Sequence, residues 1–356
     1  MTVPVPPGPQ GSPATGATPV ADTICPPARQ AGNTTYPPTA TALPSVAGAE
    51  ASTADDVTSG TLGVEEQATA SHNKPVIGPT PNLRTPITRA KGAPPCDVRP
   101  MLTNDPYRDP FLYDLEYATD SDDVAYYLSL ALRHAPDGTI IELGCGNGRI
   151  SLPIARCGVT VHGIDASAAM LDSFRLKLSR ESSEVREAIQ LQIGDFCALP
   201  PTAKRYPLAI LPFNALHHCP SITAVERLLR GVSERLVPAG LFALDAYLPD
   251  PTLYARDPKG RYEQREFVDP STGQLLQSWE EGWWDAETGI HHVIYVYQRP
   301  WDAEDRLHLR LHMYEQGELL DAFARCGFLV EAEWADFQET PMHASAVKWV
   351  FQLRKL

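Results

Sequence analysis

Aromatic side chains are nearly missing from the first 97 residues, where Tyr36 stands alone, and no apolar periodicity of helical or strand spacing runs through them. Pro, Ala, Thr, Gly and Ser fill the stretch instead. Such a segment cannot bury enough apolar surface to offset its ordering entropy, so residues 1–97 are read as a disordered extension. The chain also lacks any apolar run long enough to cross a bilayer, and the opening MTVPVPPGPQGSP has no basic segment followed by an apolar one. A soluble, cytoplasmic protein is expected. Basic residues are in the minority, 30 against 44 acidic ones, and the net charge of −14 opposes steering towards nucleic acid or an anionic membrane. The seven cysteines, Cys25, Cys96, Cys145, Cys157, Cys197, Cys219 and Cys326, include no CxxC pair. That pattern speaks for reduced thiols and predicts neither a metal site nor a disulfide framework.

What is present begins near position 98, and residues 98–356 suit one globular domain. Helical spacing over 120–134 precedes a short β-branched run, Thr139 to Leu143, with the pattern of a strand buried on both faces. Strand and helix then alternate. Strands are expected at 159–164, 189–193, 208–211 and 240–245, with helices at 150–157, 167–181 and 224–236. This alternation predicts an α/β, Rossmann-like doubly wound sheet covered on both faces. After Leu248 the pattern turns β-rich, and an insertion over about 249–313 should hold a hairpin, 274–284 with 290–298, and a strand at 307–313. A helix at 315–326 and strands at 329–336 and 346–353 close the chain. They raise the core to seven strands.

The densest local signal is Glu142-Leu-Gly144-Cys-Gly146-Asn-Gly148, set between a buried strand and a helix. Glycines there let the backbone turn sharply and approach a ligand closely. A dinucleotide fingerprint would need glycine at 149, where Arg149 stands, so that reading loses. The acidic-x-Gly-x-Gly-x-Gly spacing resembles motif I of the class I S-adenosylmethionine-dependent methyltransferases. Four further segments share the resemblance: Asp165 in VTVHGIDASAAML, Gly194-Asp195-Phe196, Pro212-Phe213-Asn214-Ala215-Leu216-His217-His218, and Asp245-Ala-Tyr-Leu-Pro-Asp250-Pro251. Before the first helix, Phe111-Leu112-Tyr113-Asp114-Leu-Glu-Tyr117 is similar to the tyrosine-rich segment of bacterial small-molecule methyltransferases, including the aminosugar N-methyltransferases. The likeness runs from about Asp109 to Leu356, with departures at Cys145 and at Ala246-Tyr247.

That resemblance implies that the last of the seven core strands is antiparallel, with S-adenosylmethionine as cofactor and a small or medium-sized acceptor. It implies a cradle for the amino-acid end at Glu142, Gly144, Cys145, Gly146 and Gly148. Asp165 would accept the ribose hydroxyls, although a carboxylate there also suits an N-cap for the following helix. Ala166 and Met170 follow it in the same pocket. Asp195 and Phe196 would meet the adenine, and Pro212 and Tyr113 would close the site. His218 and Tyr113 are the candidates for assisting proton loss from the acceptor, while Tyr117 is read as packing. Trp279, Trp283, Trp284, Tyr295 and Tyr297 would wall the acceptor site or form the interface of a homodimer. Two rival readings stay open: aminopropyl transfer on the same fold, and a non-catalytic binding protein with a Pro-rich tail as partner ligand.

Overall fold

The computed structural model describes residues 107–117, 121–269, 272–299 and 304–356, so the extension expected over 1–97 lies outside the described residues. Two helices lead in, α1 (Pro110–Tyr117) and α2 (Asp122–His134). Asp122 and Asp123 in the first turn of α2 and Arg133 and His134 in its last complement the helix dipole. The alternating region follows as β1 (Thr139–Leu143), α3 (Ser151–Arg156), β2 (Thr160–Asp165), α4 (Ala168–Leu178), α5 (Ser183–Glu187), β3 (Ile189–Ile193), β4 (Tyr206–Leu211), α6 (Ile222–Arg235) and β5 (Leu236–Tyr247). Then come α7 (Pro251–Tyr254), β6 (Tyr262–Val268), β7 (Leu275–Asp285), β8 (Ile290–Gln298), β9 (Asp305–His312), α8 (Gln316–Arg325), β10 (Phe328–Trp334) and β11 (Lys348–Lys355).

Seven strands form one sheet in the order β10-β11-β5-β4-β1-β2-β3, with β11 antiparallel to both neighbours. This is the expected doubly wound sheet. Its apolar faces are both covered: α6 and α8 pack with Leu211, Phe242 and Phe351 on one side, and α2, α3 and α4 with Ile140, Val161 and Ile210 on the other. Strand order reverses between β1 and β4, and the crevice beyond the carboxyl ends there is where such sheets take ligands. The glycine loop leaves β1 at this crevice, Asp165 ends β2, and Phe213 follows β4.

The insertion is a separate four-stranded antiparallel sheet, β6-β7-β8-β9. Its fourth member, β6, is absent from the sequence reading because YEQREFV has no apolar alternation, and four consecutive residues of it are exposed. One side chain pins this sheet to the core. His217 Nδ1 donates to the His312 carbonyl on β9 at 2.7 Å, while its Nε2 accepts from the Tyr247 amide on β5 at 2.9 Å. The ring stacks between Tyr247 and Tyr314, and burial lowers its pKa to about 4, so it stays neutral and bridges the two sheets.

Candidate active site

A cavity of about 460 Å³ lies beyond β1 and β2, and it gathers most of the residues that the sequence nominates. Tyr113, Gly144, Gly146, Asp165, Ala166, Met170, Asp195, Phe196, Pro212 and His218 all line it. Tyr107, Ser167, Cys197, Phe213 and Ala215 line it as well, without having been singled out as ligands. Glu142, Cys145 and Gly148 are outside the lining and shape the loop from behind. The Cys145 side chain is buried against Gly163 of β2, where an added Cβ would meet its sulfur at 2.8 Å. Arg149, the residue that breaks the dinucleotide pattern, forms a two-pronged ion pair with buried Asp123 and lies 4.5 Å above the Phe213 ring.

The loop is closed by Asp165. One of its carboxylate oxygens accepts the Gly146 amide at 2.7 Å and the other the Ser167 amide at 2.8 Å. Each oxygen keeps a second lone pair for a hydroxyl inside the cavity. The N-cap of α4 is Ser167, whose hydroxyl accepts the Met170 amide, so Asp165 braces the residue that caps the helix and does not cap it as expected. Asp195 caps the short turn that follows β3 through the Cys197 amide, at 2.7 Å. It sits at the cavity rim beside the Phe196 ring. A cradle with bare backbone at Gly144 and Gly146, a carboxylate on each side and an aromatic face fits an adenosyl group bearing an amino-acid tail.

Glu142 is wholly buried beneath this loop and accepts a bond from Ser151. Burial, opposed by that bond, lifts its pKa from 4.5 to about 8. Between those values the folded chain keeps a proton that the unfolded chain has released. The resulting stabilisation is complete below about pH 4.5 and is lost as pH rises through about 8. Glu142→Gln, neutral at every pH, should therefore show a flatter fall of melting temperature across this window than the wild type. Parallel calorimetric profiles for the two proteins would refute the assignment.

A second, smaller cavity, about 60 Å³, shares Tyr107, Tyr113, Phe213 and His218 with the first and is walled by Tyr117, Tyr247, Tyr295 and Tyr297. His218 Nε2 lies 2.8 Å from the Tyr107 hydroxyl. Burial lowers the His218 pKa to about 4 and raises that of Tyr113 to about 12, so near neutral pH one is an uncharged imidazole and the other an intact phenol. A third cavity, about 690 Å³, lies under the inserted sheet and shares Tyr117, Phe213, Asn214, Tyr247 and Tyr295 with the second. Tyr117, read as packing from the sequence, is thus a wall residue, its hydroxyl 3.5 Å from that of Tyr295. Of the two roles expected for the tryptophans, the wall is corrected for these cavities: none of the three tryptophans lines any of the three. Trp279 and Trp283 pair with Val296 and His292 and so occupy the sheet face opposite Tyr295, while Trp284 stacks on Tyr254 at 4.1 Å.

Residues 140–240 match the family described as methyltransferase domain. Among curated proteins, the ubiquinone biosynthesis O-methyltransferase of Xanthomonas campestris pv. campestris is 26% identical over 177 residues, 47% of this chain and 69% of that protein. Among solved structures, the CcbJ methyltransferase from Streptomyces caelestis superposes with a TM-score of 0.55 at 22% identity, covering 67% of this chain and 98% of that one. CalS10, an amino pentose methyltransferase from Micromonospora echinaspora, gives 0.53 at 16% identity over 69% and 97%. The chain has the class I S-adenosylmethionine-dependent methyltransferase fold, and S-adenosylmethionine is the cofactor of that class.

Proposed function

We propose that this chain transfers the methyl group of S-adenosylmethionine in line to a small or medium-sized polar acceptor. The reading assigns 98–356 to the catalytic domain and about 249–313 to the insertion that covers the acceptor. The observation that carries it is the pair of cavities on either side of Phe213, one with the adenosyl cradle and one large enough for a metabolite. Gly144 and Gly146 would hold the amino-acid tail, Asp165 the ribose, and Asp195 with Phe196 the adenine, flanked by Ala166, Met170 and Pro212. The bound sulfonium supplies a methyl group that is already electrophilic. What the chain must add is orientation of the nucleophile, for which Tyr107, Tyr113 and His218 converge at the junction. With its pKa near 4, His218 is a weak base and serves better as an orienting hydrogen-bond partner.

The larger cavity favours a particular acceptor chemistry. Glu116, Asp122, Asp123, Asp250, Glu263 and Glu280 line it against Arg256, Arg265 and Lys348, an excess of carboxylate over cation. Burial and the neighbouring Glu263 raise the pKa of Glu280 to about 7. Such a wall suits an amine-bearing molecule and repels phosphate. The test offers labelled S-adenosylmethionine with two pools, amine-bearing and phosphate-bearing metabolites. Transfer to the first pool is expected, and labelling confined to the second, or to neither, would overturn the proposal.

A further inference from the structure

Phe213 lines all three cavities, and no other lining residue does. Its backbone carries φ 62°, and Asn214 beside it has φ 56°, two successive residues with side chains in the left-handed region. That conformation is unfavourable for the phenylalanine, less so for the asparagine, and two in succession persist only where the surroundings impose them. The imposing group is Asp245, wholly buried on β5. Its Oδ1 accepts the Phe213 amide at 2.7 Å and its Oδ2 the Asn214 amide at 3.0 Å. Tyr127 donates its hydroxyl to Oδ1 at 2.7 Å, and Lys348 places Nζ 3.0 Å from Oδ2 and 2.9 Å from the Asn214 side-chain oxygen.

We infer that Asp245 is a positioning residue: its carboxylate grips the two strained amides and thereby fixes the Phe213 ring as the partition between the donor cavity and the acceptor cavities. The ring so held meets Tyr117 at 4.7 Å and Tyr113 at 6.1 Å between centroids, with the Arg149 guanidinium on its face. Packing alone would not hold the turn, because Phe213 is only half-buried while the amides behind it are locked. A left-handed pair without its carboxylate would relax to ordinary backbone angles and swing the ring out of the partition. Tyr127 and Lys348 act one step further back by orienting and neutralising the carboxylate in its dry site. The inference rests on the methyltransferase reading, since it takes the first cavity as the donor site.

The test reads affinity for S-adenosylhomocysteine by calorimetry alongside melting temperature. Asp245→Asn should weaken binding at least tenfold, because an amide cannot accept from both backbone donors. Adding Asn214→Gly, which adopts positive φ without strain, should recover at least threefold of that loss while leaving the lowered melting temperature uncorrected, Lys348 still lacking its counter-charge. Should Asp245→Asn fail to fold, Asn214→Ala is compared with Asn214→Gly. Both lose the Lys348 contact equally, and the glycine variant should bind at least threefold more tightly. A folded Asp245→Asn with wild-type affinity, a double variant without recovery, or alanine equal to glycine would each overturn the inference. Failure of the wild type to bind S-adenosylhomocysteine would instead sink the donor-site assignment itself.

Discussion

Asp165→Ala should reduce affinity for S-adenosylmethionine at least 100-fold while leaving the domain folded. The proposed function gives the side chain two jobs, and the magnitudes separate them. As a loop closure it accepts the Gly146 and Ser167 amides at 2.7 and 2.8 Å. Losing one such cap costs about 1 kcal/mol, a tolerable fraction of a typical domain's stability of roughly 5–15 kcal/mol. As a ligand it would accept hydroxyls with a full negative charge, and hydrogen bonds to charged groups contribute about 1.5–3 kcal/mol each. Two of them amount to roughly 3–6 kcal/mol, and each 1.4 kcal/mol is about tenfold in affinity. The binding loss should therefore exceed the stability loss. Asp165→Asn divides the two further, since its amide keeps one acceptor oxygen but presents a donor towards a backbone N–H. Calorimetric titration and thermal melts on the same samples give both quantities. A melting temperature lowered in step with affinity, or affinity unchanged, would mean that Asp165 only ties the glycine loop to the turn before α4.

The residues proposed for the donor half of the site were legible because they obey local rules. A buried strand, a glycine loop and a carboxylate at the next strand end are all written within residues 139–165, and the parallel sheet brings them together without help from distant segments. The cavity proposed to take the acceptor was not legible in the same way. Its carboxylates come from α1, the start of α2, the turn before α7, β6 and β7, so no local run announces them; the text after β4 shows no acidic cluster. Tyr107 escaped because nothing in its own sequence places it against His218, 111 positions away. The wall reading of the tryptophans misled for a related reason. A Trp-rich strand states that it has two faces but not which face turns inwards, and a register of Trp283 opposite His292 put two of the three on the wrong side. The left-handed turn at Phe213 and Asn214 ran against the preference of phenylalanine, and the buried carboxylate of Asp245, two elements further along the chain, accounts for it.

Gly148→Ala should be among the most destabilising single substitutions in the glycine loop, lowering the melting temperature by about 5–20 °C, although Gly148 lines no cavity. Two separate costs add. The residue has φ +90°, a conformation that costs a side-chain-bearing residue about 1–3 kcal/mol. In addition, the new Cβ would meet the Phe174 ring at 2.4, 2.6 and 2.7 Å, and that ring is wholly buried on α4 with no room to retreat. Overpacking of this kind costs about 1–3 kcal/mol more. Gly289, at φ +66° with no atom within 4 Å of a built Cβ, isolates the first cost, so Gly289→Ala should lower the melting temperature by less than half as much. Phe174→Leu isolates the second. In the Gly148→Ala background it should be less harmful than in the wild type, because the smaller side chain frees space for the methyl, a coupling that a double-mutant cycle reads directly. Additivity of the two substitutions would show that the loop glycine is needed only for its backbone angle. Coupling would show that the third glycine of the motif is there to let α4 approach β1 and so bring Met170 and Asp165 to the rim of the donor cavity.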